Sequence, residues 1–140
     1  MELIAVLDSS AVVSGIGWRG GEALAVLRLL ALRDFVSART TWLAEERTET
    51  VERVAREEKR RQAWLDWLKR ASVFFEEIPI RVTVRHDPKD DPVVMSAVAA
   101  RAHFIVAYDS DLLDLGKPYG IACVTPREFL SLVRRSRSAV

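Results

Sequence analysis

The sequence predicts an α/β domain on a mainly parallel sheet, and three observations carry that reading. Short apolar runs alternate with longer stretches of helical periodicity, the pattern of repeated strand–helix units. The first run, Leu3-Ile4-Ala5-Val6-Leu7, is apolar at every position, as a strand covered on both faces must be. Acids stand where such strands end: Asp8 directly after the first run, and Asp109 after Phe104-Ile105-Val106-Ala107 and one intervening tyrosine.

The elements follow in order. After the strand at 3–7 and a glycine-rich break at Gly15 to Gly21, Leu24, Leu27, Leu29, Leu30 and Leu32 mark an amphipathic helix that stops near Asp34. Phe35-Val36-Ser37 is a short second strand. A long helical region from about Trp42 to Ser72 splits into two helices near the charged run Arg56 to Arg61. Leu43, Val51 and Val54 lie on one side of the first, and Trp64, Leu65, Trp67 and Leu68 supply the apolar side of the second. Val73-Phe74-Phe75 forms a third strand, and Pro79 closes it or begins a connection to Val82-Thr83-Val84. His86 to Pro92 carries the turn and cap chemistry of a helix start, with Pro92 at the first helical position of a helix over Val93 to Ala102. A strand at 104–107, a short helix from Asp109 to Leu115 and a last strand from Ile121 to Val124 complete the alternation. Thr125 then caps a closing helix, with Glu128 at the capping-box spacing.

A chain of 140 residues holds one domain with a real core, so residues 1–140 are read as a single unit. No apolar run reaches the ~20 residues that span a bilayer, and the N-terminus lacks a secretory pattern; no membrane association and a cytoplasmic location are the expectation. Formal net charge is +1, which excludes a broad electrostatic footprint for nucleic acid and leaves only local contacts. The single cysteine, Cys123, lies in an apolar strand and reads as packing rather than a thiol nucleophile. His86 and His103 read as structural or solvated.

In open parallel sheets ligands bind outside the carboxyl ends of the strands. Asp8 and Asp109 stand at that edge, Asp111 two residues further, and Asp90 and Asp91 open a helix that starts on the same side. Glu45 and Glu46 bring a fourth segment. Of the helix acids Glu46 is preferred, because it is three residues past Leu43 and close to the apolar face, whereas Glu45 points toward Glu49 and Glu52. Singly, each acid is equally well explained as a cap, a turn residue or part of a solvated helix face; the coincidence of several is what carries information. Clustered carboxylates raise one another's pKa and need compensation. Oxygen ligands without a companion group of His or Cys suit Mg²⁺ or Mn²⁺, ions that polarise a phosphodiester and activate water.

Val6-Leu7-Asp8-Ser9-Ser10, Asp87-Pro88-Lys89-Asp90-Asp91 and Ile105-Val106-Ala107-Tyr108-Asp109-Ser110-Asp111-Leu112-Leu113, followed by Thr125-Pro126-Arg127-Glu128-Phe129-Leu130, together resemble a PIN domain. The likeness is to the branch of toxin components of toxin–antitoxin systems, relatives of the VapC toxins. It implies a three-layer α/β/α sandwich around a parallel sheet of about five strands, and Mg²⁺- or Mn²⁺-dependent cleavage of RNA. It also implies that Asp8, Glu46, Asp90 and Asp109 are catalytic metal ligands, with Glu45 and Asp91 as one-residue alternatives and Asp111 as an auxiliary ligand. An antitoxin and a second copy of the chain are the implied partners. Ser10 stands where the family often has Asn, and Ala107 where it often has Thr; Ser10 can still hydrogen-bond and Ala107 cannot. The competing readings are a PIN module that binds RNA or protein with little or no cutting, and a receiver-like phosphoacceptor with Lys117 as its lysine. Arg19, Arg39 and Arg85 are candidates to guide an RNA backbone.

Overall fold

A computed structural model describes residues 2–17, 21–77 and 91–138. The expected strand at 82–84, the candidate residues Asp90, Arg19 and Arg85, and also Trp18, His86 and Pro79 lie outside the described residues. The elements are β1 (Ile4–Leu7), α1 (Ser9–Gly17), α2 (Glu22–Ala31), β2 (Val36–Arg39), α3 (Thr41–Val54), α4 (Glu58–Ala71) and β3 (Ser72–Phe74). They continue with α5 (Pro92–Ala100), β4 (Phe104–Val106), α6 (Ser110–Asp114), a 3-10 turn (Pro118–Gly120), β5 (Ala122–Val124) and α7 (Pro126–Ser138).

The five strands form one sheet in the order β3-β2-β1-β4-β5, with every neighbouring pair parallel. Period-two alternation sends Ala5 and Leu7 to one face and Val6 to the other. On the first face Ala5, Leu7, Val106 and Val124 pack with Ala11 and Val12 of α1, Val26, Leu27 and Leu30 of α2, Leu68 of α4 and Phe129 of α7. On the second, Val6, Ala38 and Ile105 pack with Val93, Val94 and Ala97 of α5 and Leu112 of α6. Helices thus cover both faces, and the expected three-layer sandwich is what the chain forms. The apolar strand sequences follow from that double cover.

Helix α3 belongs to both layers. Leu43 near its start is buried in the α5 layer, and Val51 near its end is buried in the other. Its middle, residues 46 and 47, therefore passes over the rim of the sheet. Thr40 fixes its entry: the hydroxyl is fully buried, accepts from the Leu43 amide at 3.3 Å and bonds to the Ser96 hydroxyl of α5 at 2.8 Å.

Two differences between sequence and structure bear on the fold. The glycine-rich stretch read as a break from Gly15 onward contains the last turn of α1, a helix the periodicity had not indicated. Gly15 is there because α1 lies tight on α2: a Cβ would sit 2.7 Å from Leu27 Cδ1 and 3.1 Å from the Ala23 carbonyl oxygen. The second strand runs to Arg39 rather than ending at Ser37. The split in the long helical region falls at residues 55–57, at the start of the charged run, as expected. The capping box closes as expected, with the Glu128 amide donating to Thr125 Oγ1 at 3.2 Å and the Thr125 amide donating to Glu128 Oε1 at 3.2 Å.

His103 is structural, as expected: its Nδ1 accepts from the Ile4 amide at 3.1 Å, which extends the β1–β4 pairing by one residue. Lys117 precedes the 3-10 turn instead of ending a strand, and the sheet order is not the 2-1-3-4-5 of flavodoxin-like domains, which removes the phosphoacceptor reading. Among the described residues no helix is long and apolar enough to cross a membrane.

Candidate active site

The chain leaves β1 toward α1 and β2 on one side, and β4 lies on the other. The carboxyl ends of β1 and β4 therefore flank the point where the sheet order reverses, the usual place for a ligand in such sheets. Asp8 and Asp109 both follow those ends. The Asp8 amide donates to the Val106 carbonyl at 2.9 Å. Ser10 then bridges the gap: its Oγ donates to Asp8 Oδ2 at 2.6 Å and accepts from the Tyr108 amide at 3.0 Å. With the Ser10 amide also donating to Asp8 Oδ2 at 3.2 Å, one carboxylate oxygen is held at the start of α1. Ser10 thus does make the hydrogen bond its position allows. Ala107 is fully buried and offers no side-chain donor.

Glu46 arrives from α3. It is half-buried, while Glu45 is exposed and lines, together with Arg47, a cavity of about 540 Å³ between α3 and α4. Burial pushes the Glu46 carboxyl pKa up; the Ser9 hydroxyl and Arg47 hold it partly down, and Asp8 and Asp91 raise it further. Both Asp8 and Asp91 are therefore close enough to act on its charge. Glu46 Oε2 is shielded from water, as is Ser9 Oγ, and neither closes a well-formed hydrogen bond among the described residues. An acceptor oxygen in that state is costly unless something positive meets it.

Asp91 is the N-cap of α5, its Oδ1 accepting from the Val93 amide at 2.8 Å, which places a carboxylate at the positive end of that helix. Pro92 follows at the first helical position as expected. Asp109 is exposed and caps α6, its Oδ1 accepting from the Asp111 amide at 2.9 Å. Asp111 is also exposed, in the first turn of α6. Cys123 is half-buried against the α5 layer, and burial, with Asp91, raises its thiol pKa; it is not set up as a nucleophile.

Sequence reasoning missed Arg47. It is 3% exposed. One Nη donates to the Leu7 carbonyl at 3.1 Å, and Nε is buried without a partner, an omission that costs on the order of 1–3 kcal/mol. Burial and the neighbouring Arg39 bring its pKa down to about 10, against the pull of Asp8 and Glu46, so it stays cationic at neutral pH. A signal was available: residue 47 is four positions from both Leu43 and Val51, on the buried stripe. Thr40 and Ser96, which dock α3 on α5, carried no such signal.

The donors gathered here are carboxylate oxygens, which suit a hard divalent cation, and the shielded Glu46 Oε2 is an oxygen that such an ion would satisfy. Among the described residues, no three His, Cys, Asp or Glu side chains are already arranged as a metal-binding group. Asp8, Glu46 and Asp91 fit a hard ion by the chemistry of their oxygens.

The fold is similar to that of VapBC2 from Rickettsia felis, solved bound to a DNA fragment from their promoter, with a TM-score of 0.58 and 13% identity over 88% of this chain and 98% of that one. It is likewise similar to PAE2754 from Pyrobaculum aerophilum, with a TM-score of 0.62 and 16% identity over 95% of this chain and 90% of that one. No curated protein matches the sequence. The family model of the PIN domain matches residues 5–111, well over half of the chain, which therefore belongs to the PIN domain family, whose members are generally nucleases.

Proposed function

We propose that the protein is a metal-dependent endoribonuclease in which Asp8, Glu46, Asp90 and Asp109 hold Mg²⁺ or Mn²⁺, with Asp111 as an auxiliary ligand. The observation that carries this reading is the approach of Asp8 and Glu46 at the β1–β4 rim, where Glu46 keeps a shielded, unpaired oxygen. When bound, the ion polarises the phosphodiester and lowers the pKa of an attacking water. The chain's own part is to orient. Ser10 holds one oxygen of Asp8 and leaves the other available; the Thr40–Ser96 bond fixes α3 against α5 and so sets the height of Glu46 over the rim. Asp109 is exposed, so a strand of RNA can reach it. Asp91, already committed to capping α5, is the one-residue alternative to Asp90.

The VapBC-like fold supports a place in a toxin–antitoxin pair, with an antitoxin as protein partner and self-association into a homodimer. No membrane role and a cytoplasmic location go with that reading.

Incubation of the purified chain with single-stranded RNA, in Mn²⁺ or in EDTA, tests the activity. Cutting is expected only with metal, and is expected to vanish in Asp8→Asn and Asp109→Asn. Cutting that survives EDTA or either substitution contradicts the proposal. Metal binding without cutting favours the binding module instead.

A further inference from the structure

Arg47 does nothing in the account above, yet it is the most deeply buried charge near the site. At 3% exposure it cannot touch a substrate. Its guanidinium reaches the carbonyl of Leu7, the residue immediately before Asp8, and its backbone neighbour is Glu46. It is thus tied to both carboxylates at once, to one through the chain and to the other through the β1 terminus. Among the described residues no carboxylate closes an ion pair with it; it acts there as a fixed charge rather than as one half of a salt bridge. Arg39, at the end of β2, is the neighbouring cation, but it stacks over the Phe74 ring at 5.3 Å and is directed to the α4 side. Among the described residues, Arg47 is the cation that acts on Glu46.

We propose that Arg47 is a positioning residue of the acidic site: a cation out of reach of substrate that holds the end of β1 and offsets the repulsion between Asp8 and Glu46 while no metal is bound. The same charge opposes an incoming cation, so Arg47 sets how tightly the site takes one. A site without it binds metal more tightly but is poorly formed before metal arrives; a site with it is formed in advance and binds more weakly. The inference rests on the assignment of Asp8 and Glu46 as ligands.

Two substitutions in the full chain separate charge from shape. Arg47→Met keeps much of the volume and removes the charge, whereas Arg47→Lys keeps the charge and loses the planar fork. Mn²⁺ affinity, read by the loss of the free-ion electron paramagnetic resonance signal, is expected to rise at least about five-fold in Arg47→Met. It is expected to stay within about two-fold of the parent in Arg47→Lys. In EDTA, Arg47→Met is expected to melt at a lower temperature than the parent. Unchanged or weaker Mn²⁺ binding in Arg47→Met overturns the proposal while leaving the nuclease reading intact; a parent chain that binds no Mn²⁺ overturns both. If Arg47→Met does not fold in EDTA, the double variant Asp8→Asn with Arg47→Met is expected to fold, because the repulsion is gone. Failure of the double variant reduces Arg47 to packing and also overturns the proposal.

Discussion

The two sides of the candidate site are built differently. On the β1 side Asp8 is 6% exposed, held twice by Ser10 and backed by Glu46 and Arg47. On the β4 side Asp109 is exposed, and among the described residues its side chain has no tie beyond the cap it gives α6. The buried side carries the electrostatic cost of crowding Asp8, Glu46 and Arg47 together, and the exposed side carries almost none. The difference teaches where preorganisation resides: the β1 side is fixed by the fold, and the β4 side is completed by whatever ligand arrives.

The largest expected effects break the two sides in different ways. Asp8→Asn and Asp109→Asn are each expected to reduce metal-dependent cutting by more than about 100-fold, beyond the ~10–100-fold typical of residues that only support a ligand. Asn caps a helix as well as Asp does, so Asp109→Asn is expected to melt within about 2 °C of the parent in EDTA, about what a change under 0.5 kcal/mol moves a domain of this size. A fall larger than that shows the β4 side to be structural.

Ser10→Ala removes the bridge between the sides. A loss of ~10–100-fold in Mn²⁺ affinity is expected, measured by titration; an unchanged affinity would show that Asp8 needs no orientation from Ser10.

Glu46→Gln sharpens the comparison through pH. The Glu46 pKa is raised in the folded protein, so its stabilising contribution is complete below the unfolded value near 4.5 and is lost as pH rises through the folded pKa. In EDTA, Glu46→Gln is therefore expected to melt like the parent at acid pH and above it at neutral pH. With saturating Mn²⁺ the order is expected to reverse, since ligand binding stabilises only the parent. A parent that is the more stable of the two at neutral pH in EDTA contradicts the reading. The smallest effect is expected at Asp111→Asn, on the exposed side: a change in cutting of no more than a few-fold, seen in the same RNA assay.

Much of this was legible in the residues. The apolar strand at 3–7, the capping box at Thr125 and Glu128, the N1 proline at position 92 and the acids at strand ends are local signals, each fixed by a few neighbours. What was not legible depends on contacts between distant segments. Gly15 looks like part of a break unless one knows that α2 lies against α1 closely enough to exclude a Cβ there. Arg47 looks solvated because charged residues usually are, although its spacing from Leu43 and Val51 placed it on the buried stripe. Thr40 and Ser96 are 56 residues apart, and nothing in either neighbourhood announces their bond.

A manganese-soaked crystal, read by anomalous scattering, tests the central claim most directly. The account predicts a single strong peak at the carboxyl end of β1, within about 2.0–2.3 Å of an oxygen of Asp8 and one of Glu46. A peak elsewhere on the molecule, with Asp8 and Glu46 uncoordinated in fully loaded crystals, would contradict it.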